Sequence, residues 1–152
     1  MSDIVKRTTL IVRDAERAAR WYEHVFGMTR AMDVPFTLSG KQLAVGQEGD
    51  RTRLILMKAE HEVIGMIGLL EWVEPRLDLS APPDGIQPGQ PIFVVEAKDC
   101  GATVARAREL GSHIHCEPYD WTVTGFDGWP KDLVGASFFD LDGYFFEVNS
   151  PR

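Results

Sequence analysis

The chain has 152 residues, enough for one compact domain with a substantial core. It is 44% hydrophobic and 26% charged, and its net charge is −7. No Lys/Arg cluster is present to follow a phosphate backbone or to sit on an anionic bilayer, so neither nucleic acid nor a membrane is an expected partner.

In chain order, residues 7–14 read as a strand ending in Asp14. Ala15, Ala18, Ala19, Tyr22, Val25 and Phe26 then recur at helical spacing, which predicts a helix over 15–26. Asp14 stands at the N-cap, where a carboxylate accepts from the first free N–H groups, and Gly27 stands at the left-handed stop. Strands are predicted at 30–36, 41–46 and 53–58, with turns at Ser39-Gly40 and Glu48-Gly49-Asp50. The apolar segment 62–72 fits either a short buried helix or a strand. Five of the nine prolines fall in 75–91, marking a linker.

The pattern then repeats. Residues 92–99 form a strand pattern ending in Asp99, residues 100–110 a helix, and Gly111 a stop. The two Asp are 85 residues apart and the two Gly 84 apart. Strands are predicted at 113–117, 134–140 and 144–149, the last two joined at Asp142-Gly143 by a type I′ turn. Each half is therefore βαβββ, within a single domain of residues 1–152: module one over 4–74, a linker over 75–90, module two over 91–152. The class is α+β. The strands carry large apolar side chains on both faces (Phe138, Phe139, Phe145 and Phe146 among them), so the two halves are expected to form a curved mixed sheet around an apolar cleft.

Cys100 and Cys116 are too few for a disulfide framework or a zinc site, and residues 1–6 lack the apolar core of a secretory signal. The expected compartment is the cytoplasm. His113 and His115 would share one strand face at a chelating spacing, but an edge strand bearing two surface imidazoles is the plainer reading. Tyr119, Trp121, Phe126 and Trp129 crowd one Gly/Pro-containing connection with Asp120, Asp127 and Asp132. They either pack that loop or form an aromatic lid, with acids facing a cationic or hydroxylated ligand.

Two motifs carry a family resemblance. Arg13-Asp14 followed by Trp21-Tyr22 and Phe26-Gly27 resembles the first strand–helix signature of the vicinal oxygen chelate superfamily, the glyoxalase, bleomycin resistance and dioxygenase proteins. Asp140-Leu141-Asp142-Gly143-Tyr144-Phe145-Phe146-Glu147 resembles its final hairpin. The resemblance implies one divalent metal held by residues from the first and last strands of each half. Carried onto this chain, those positions are Arg7, Leu56, Ile92 and Glu147. Only Glu147 can ligate: Arg is a permanent cation, and Leu and Ile have no lone pair. The expectation is thus a protein without metal or other cofactor that binds a small, partly apolar ligand through Arg7, Leu56, Ile92, Trp121, Phe126, Trp129 and Glu147. Arg7 would replace the metal and pair with Glu147. The alternative is an enzyme of the family (lyase, isomerase or dioxygenase) using Glu147 as a catalytic base or metal ligand. The resemblance also implies a homodimer.

Overall fold

A computed structural model of the chain describes residues 2–61, 64–82 and 85–152. The elements run β1 (Thr8–Ile11), α1 (Ala15–Phe26), β2 (Thr29–Thr37), β3 (Arg51–Lys58), β4 (Met66–Glu74), β5 (Ile92–Glu96), α2 (Cys100–Glu109), β6 (Ile114–Thr124), β7 (Pro130–Phe139) and β8 (Phe145–Pro151). They make two four-stranded mixed sheets, ordered β1-β4-β3-β2 and β5-β8-β7-β6. β1 runs parallel to β4, and β5 to β8; the other pairings are antiparallel. The chain divides into two compact units, residues 1–23 with 27–81, and residues 24–26 with 82–152.

In the first unit α1 forms where predicted. Asp14 accepts from the Arg17 N–H at 2.9 Å, and Gly27 ends the helix at φ 67°. A second carboxylate, Glu71 on β4, accepts from the Ala15 N–H at 2.9 Å, so two of the free donors at this N-terminus are satisfied by acids. Ala15, Ala18, Ala19 and Tyr22 of the helix are fully or almost fully buried, as are Ile55, Met57 and Leu69 of the sheet. On the same side of the sheet, Glu16 and Glu23 accept from Arg30, and Glu16 and Asp33 from Arg53, at 2.6–3.0 Å.

In the second unit α2 packs on β7 and β8. Asp99 caps it through the Ala102 N–H at 2.9 Å. The Cys100 N–H donates to Ser150 Oγ at 3.2 Å, and Cys100 Sγ lies 3.5 Å from the Val148 carbonyl. Phe26, in the short segment belonging to this unit, packs its ring on Phe146 at 5.2 Å and on Phe138 at 6.1 Å.

Four expectations are corrected. Residues 41–46 form no strand. They lie in a run of turns and bends in which Gly40, Gly46 and Gly49 all adopt positive φ, a conformation no regular strand sustains. The third strand after α1 is instead β4, from the segment read as helix or strand; Glu62 and Val63 of that segment lie outside the described residues. β6 and β7 are much longer than predicted, so Tyr119 and Trp121 stand on a strand rather than in a loop. Finally, the turn before β8 is not type I′, because only Gly143 (φ 90°) has positive φ there. Asp140 organises it instead, its carboxylate accepting from the N–H groups of Asp142 and Tyr144.

Candidate functional site

Side chains alternate across a strand, so the residues that pack on α2 fix which ones face away from it. On β8, Phe146, Val148 and Ser150 are buried toward the helix, which turns Phe145, Glu147 and Asn149 to the opposite, helix-free face. On β5, Phe93 stacks on Phe146 at 4.9 Å, leaving Ile92 and Val94 on the helix-free face. The register sets Val94 and Ser137 on either side of Glu147, and Gly135 beside Asn149. Gly135 in turn pairs with Tyr119 on β6.

This face is open. Ile92 is 51% exposed and Val94 70%, and Glu147 is exposed between them and the rest of the sheet. Two exposed β-branched side chains around a carboxylate are unlike a solvated sheet face, which carries polar residues there. At one end the face is walled by Phe145, which meets Phe139 at 5.0 Å and His115 at 5.9 Å. Toward the other end lies Trp121, its ring centroid 6.5 Å from that of Tyr119. The indole occupies the space that a side chain at Gly135 would need: a Cβ there would come within 2.7 Å of Trp121 Nε1 and 3.1 Å of Asn149 Oδ1. Nε1 is buried and, among the described residues, has no hydrogen-bond partner.

The helix-free face of the first sheet differs. Leu38, Leu70 and Trp72 form a buried cluster there, joined by Ile11, Leu54 and Leu77. Asp50 in the loop before β3 accepts from Trp72 Nε1 at 3.0 Å. This face is therefore partly filled by the unit's own connecting segments. A depression of about 300 Å³ opens at the outer end of β2 and β3, lined by Asp33, Phe36, Arg51, Thr52, Arg53 and Val73 among others. Its arginines are already engaged, Arg53 by Asp33 and Glu16, and Arg51 by Glu74 at 2.8 Å. It offers a ligand no unsatisfied charge and contains none of the residues nominated from sequence.

Those residues fall as follows. Glu147 and Ile92 share the helix-free face of the second sheet, and Trp121 stands over Gly135 beside them. Phe126 and Trp129 sit in the turn between β6 and β7, fully exposed and 72% exposed respectively. Leu56 lies on β3, not on the last strand of its unit, and is buried on the helix-free side, where it pairs with Gly68 of β4. Gly68 is the repeat counterpart of Glu147: Thr9 pairs with Gly68 and Val94 with Glu147, and Thr9 and Val94 each precede their capping Asp by five residues. Arg7 is exposed just before β1. Arg7 belongs to the first unit and Glu147 to the second, and neither side chain takes part in an ion pair or hydrogen bond among the described residues. Val94, Asn149 and Ser137 are not singled out by the sequence, and Tyr119 only as one ring of the aromatic connection. The signal available for Val94 and Asn149 was simple alternation from Ile92 and Glu147.

A divalent metal needs about three protein donors. The four positions at which the family would supply them are Arg7, Gly68, Ile92 and Glu147, a donor set with one carboxylate. Among the described residues, no group of three or more His, Cys, Asp or Glu could hold a metal ion. The residues present do not fit the metal.

Two βαβββ units, each with its helix on one side of a 1-4-3-2 sheet, define an α+β protein of the glyoxalase type. The Glyoxalase/Bleomycin resistance protein/Dioxygenase superfamily model matches residues 4–148, and the chain belongs to that superfamily. Among solved structures, it is similar to a glyoxalase family protein from Bacillus cereus, with TM-score 0.74 and 12% identity over 97% of this chain and 93% of that one. It is also similar to the trypanothione-dependent glyoxalase I of Leishmania major (TM-score 0.63, 17% identity, 98% and 87% covered). TioX from Micromonospora sp. ML1 aligns over 100% of both chains at TM-score 0.57 and 19% identity. At these identities the likeness is one of fold. No curated protein matches the chain. No helix among the described residues is long and apolar enough to cross a membrane.

Proposed function

We propose that this protein binds a small, partly apolar molecule on the helix-free face of its second sheet, without a metal. The observation that carries this reading is the setting of two exposed apolar side chains, Ile92 and Val94, beside a carboxylate, Glu147, that has no ion-pair partner among the described residues. Apolar area left in water at a site where the fold could have placed polar residues is stabilised by a ligand that covers it, at about 25 cal/mol per Å². Trp121 and Tyr119 bound the face on one side, and the Phe139, Phe145 and His115 rings on the other. In this reading Phe126 and Trp129 cover the ligand from the β6–β7 turn, where both rings are exposed.

A fragment screen read by backbone amide shifts tests the proposal. Apolar fragments should perturb Val94, Asn149 and the Trp121 indole together. Hits confined to the depression beside Arg51 and Arg53, or none on the second sheet, would contradict it.

A further inference from the structure

We infer that the ligand class is organic cations: a protonated amine or quaternary ammonium group attached to an apolar or aromatic body. This deepens the reading above and rests on it. By register this face carries two carboxylates: Glu147, in the middle of Ile92, Val94, Phe145, Asn149 and Ser137, and Glu96, which pairs with Asn149. No cation among the described residues neutralises Glu147. The basic residues along these strands lie at their ends: Lys98 past the end of β5, Lys131 toward the β6–β7 turn and 3.9 Å from Asp127, and Arg152 beyond the end of β8 and 3.3 Å from Asp120.

Two carboxylates beside exposed apolar side chains select by charge. A neutral ligand covering Ile92 and Val94 takes solvent away from Glu147 and returns nothing, which costs binding energy. An anion adds repulsion. A cation with a hydrocarbon body covers the same apolar area and also satisfies the carboxylate, and hydrogen bonds to a charged group are the stronger kind. The second contributor is aromatic. Tyr119 is half exposed and next to Trp121, and Gly135, between Asn149 and Tyr119 in register, leaves the sheet surface flat beside them. An ammonium group lying over Ser137 and Gly135 would have the carboxylate on one side and ring faces on the other, an arrangement in which cation–π attraction adds to the ion pair.

Three probes of one shape separate the terms: 2-phenylethylammonium, 2-phenylethanol and phenylacetate, each titrated into the full chain and followed by amide and indole shifts. The expected order is ammonium over alcohol by about tenfold, equivalent to about 1.4 kcal/mol, with phenylacetate weaker than either. In Glu147→Gln the ammonium should fall toward the level of the alcohol, and reach it when Glu96→Gln is added, while the alcohol's own affinity is kept or improved. Raising salt from 0.05 to 0.5 M should weaken the ammonium alone, since exposed charge pairs are screened on that scale, roughly. Equal affinities for ammonium and alcohol, unchanged by Glu147→Gln, would overturn the cation inference and leave the binding face standing. Absence of any response at Val94, Asn149 and Trp121 to all three probes would overturn the binding face as well.

Discussion

At the scale of single residues, the face depends on a side chain that is absent. Gly135 has an unremarkable φ, so what it supplies is room: any Cβ would intrude to 2.7 Å from Trp121 Nε1. Gly135→Ala should therefore lift the indole off the sheet, seen as a shift and broadening of the Trp121 indole resonance, with weaker binding of any probe that responds there; an unmoved indole signal would show that the ring does not rest on this glycine. Arg7 makes the opposite case. Because Arg7 and Glu147 are both exposed, removing the arginine does not strand a buried charge. Arg7→Ala should change stability by no more than about 0.5 kcal/mol in urea unfolding, as surface substitutions do. A loss of about 3 kcal/mol would instead reveal a buried pair. Glu147, Ile92 and Trp121 could be named from sequence because motif and residue type mark them. Gly68 could not, since its role is visible only once β4 is placed beside β1.

At the scale of elements, helices were more legible than strands. Asp14 and Asp99, three-turn apolar periodicity and a following glycine each report the same local physics, and both helices formed there, α2 ending one residue before the predicted limit. The second helix ends at Glu109 with Leu110 as cap, and Gly111 adopts the positive φ (85°) its composition suggests. The first-unit strands were misassigned because residues 41–46 carry a short apolar run, Leu43-Ala44-Val45, bounded by turn residues, without being paired. Leu38 is buried in the Leu70–Trp72 cluster, while Leu43 and Val45 remain exposed. A short apolar run between turn residues reports partial burial, which a loop also provides. The cap itself can be tested. Asp14→Ala should cost about 1 kcal/mol. The loss should be at the low end, because Glu71 still accepts from the Ala15 N–H; the double variant with Glu71→Gln should lose more than the sum if the two acids share the same N-terminus. Strict additivity would mean that they act independently.

At the scale of the whole molecule, the two repeats have diverged in what they do. The first carries a charge network on its helix side and a filled helix-free face; the second leaves that face open. The network predicts acid sensitivity. Hydrogen bonds from Arg30 first, then Arg53 and Arg20, hold the Glu16 carboxyl down from its ordinary 4.5 to about 2, and Arg53 lowers Asp33 in the same direction. A carboxylate whose folded value is depressed contributes stability that is present above the ordinary value and lost as pH falls toward the folded one. Urea midpoints should therefore drop between about pH 4.5 and pH 2, and less steeply in Glu16→Gln. Because these groups are a quarter to a third exposed, the effect should also shrink at high salt. Identical pH profiles for the two proteins would exclude the network as the cause.

The central claim is that a glyoxalase-superfamily chain has kept the fold and replaced metal chemistry by metal-free recognition. An enzyme of the family using Glu147 as a metal ligand would predict the reverse. The most direct measurement is elemental analysis of purified full-length protein after incubation with zinc, nickel, manganese and ferrous iron and passage through a desalting column. The account predicts well under one equivalent of every metal, with no change on Glu147→Gln. One equivalent of any of them, lost in Glu147→Gln, would contradict it.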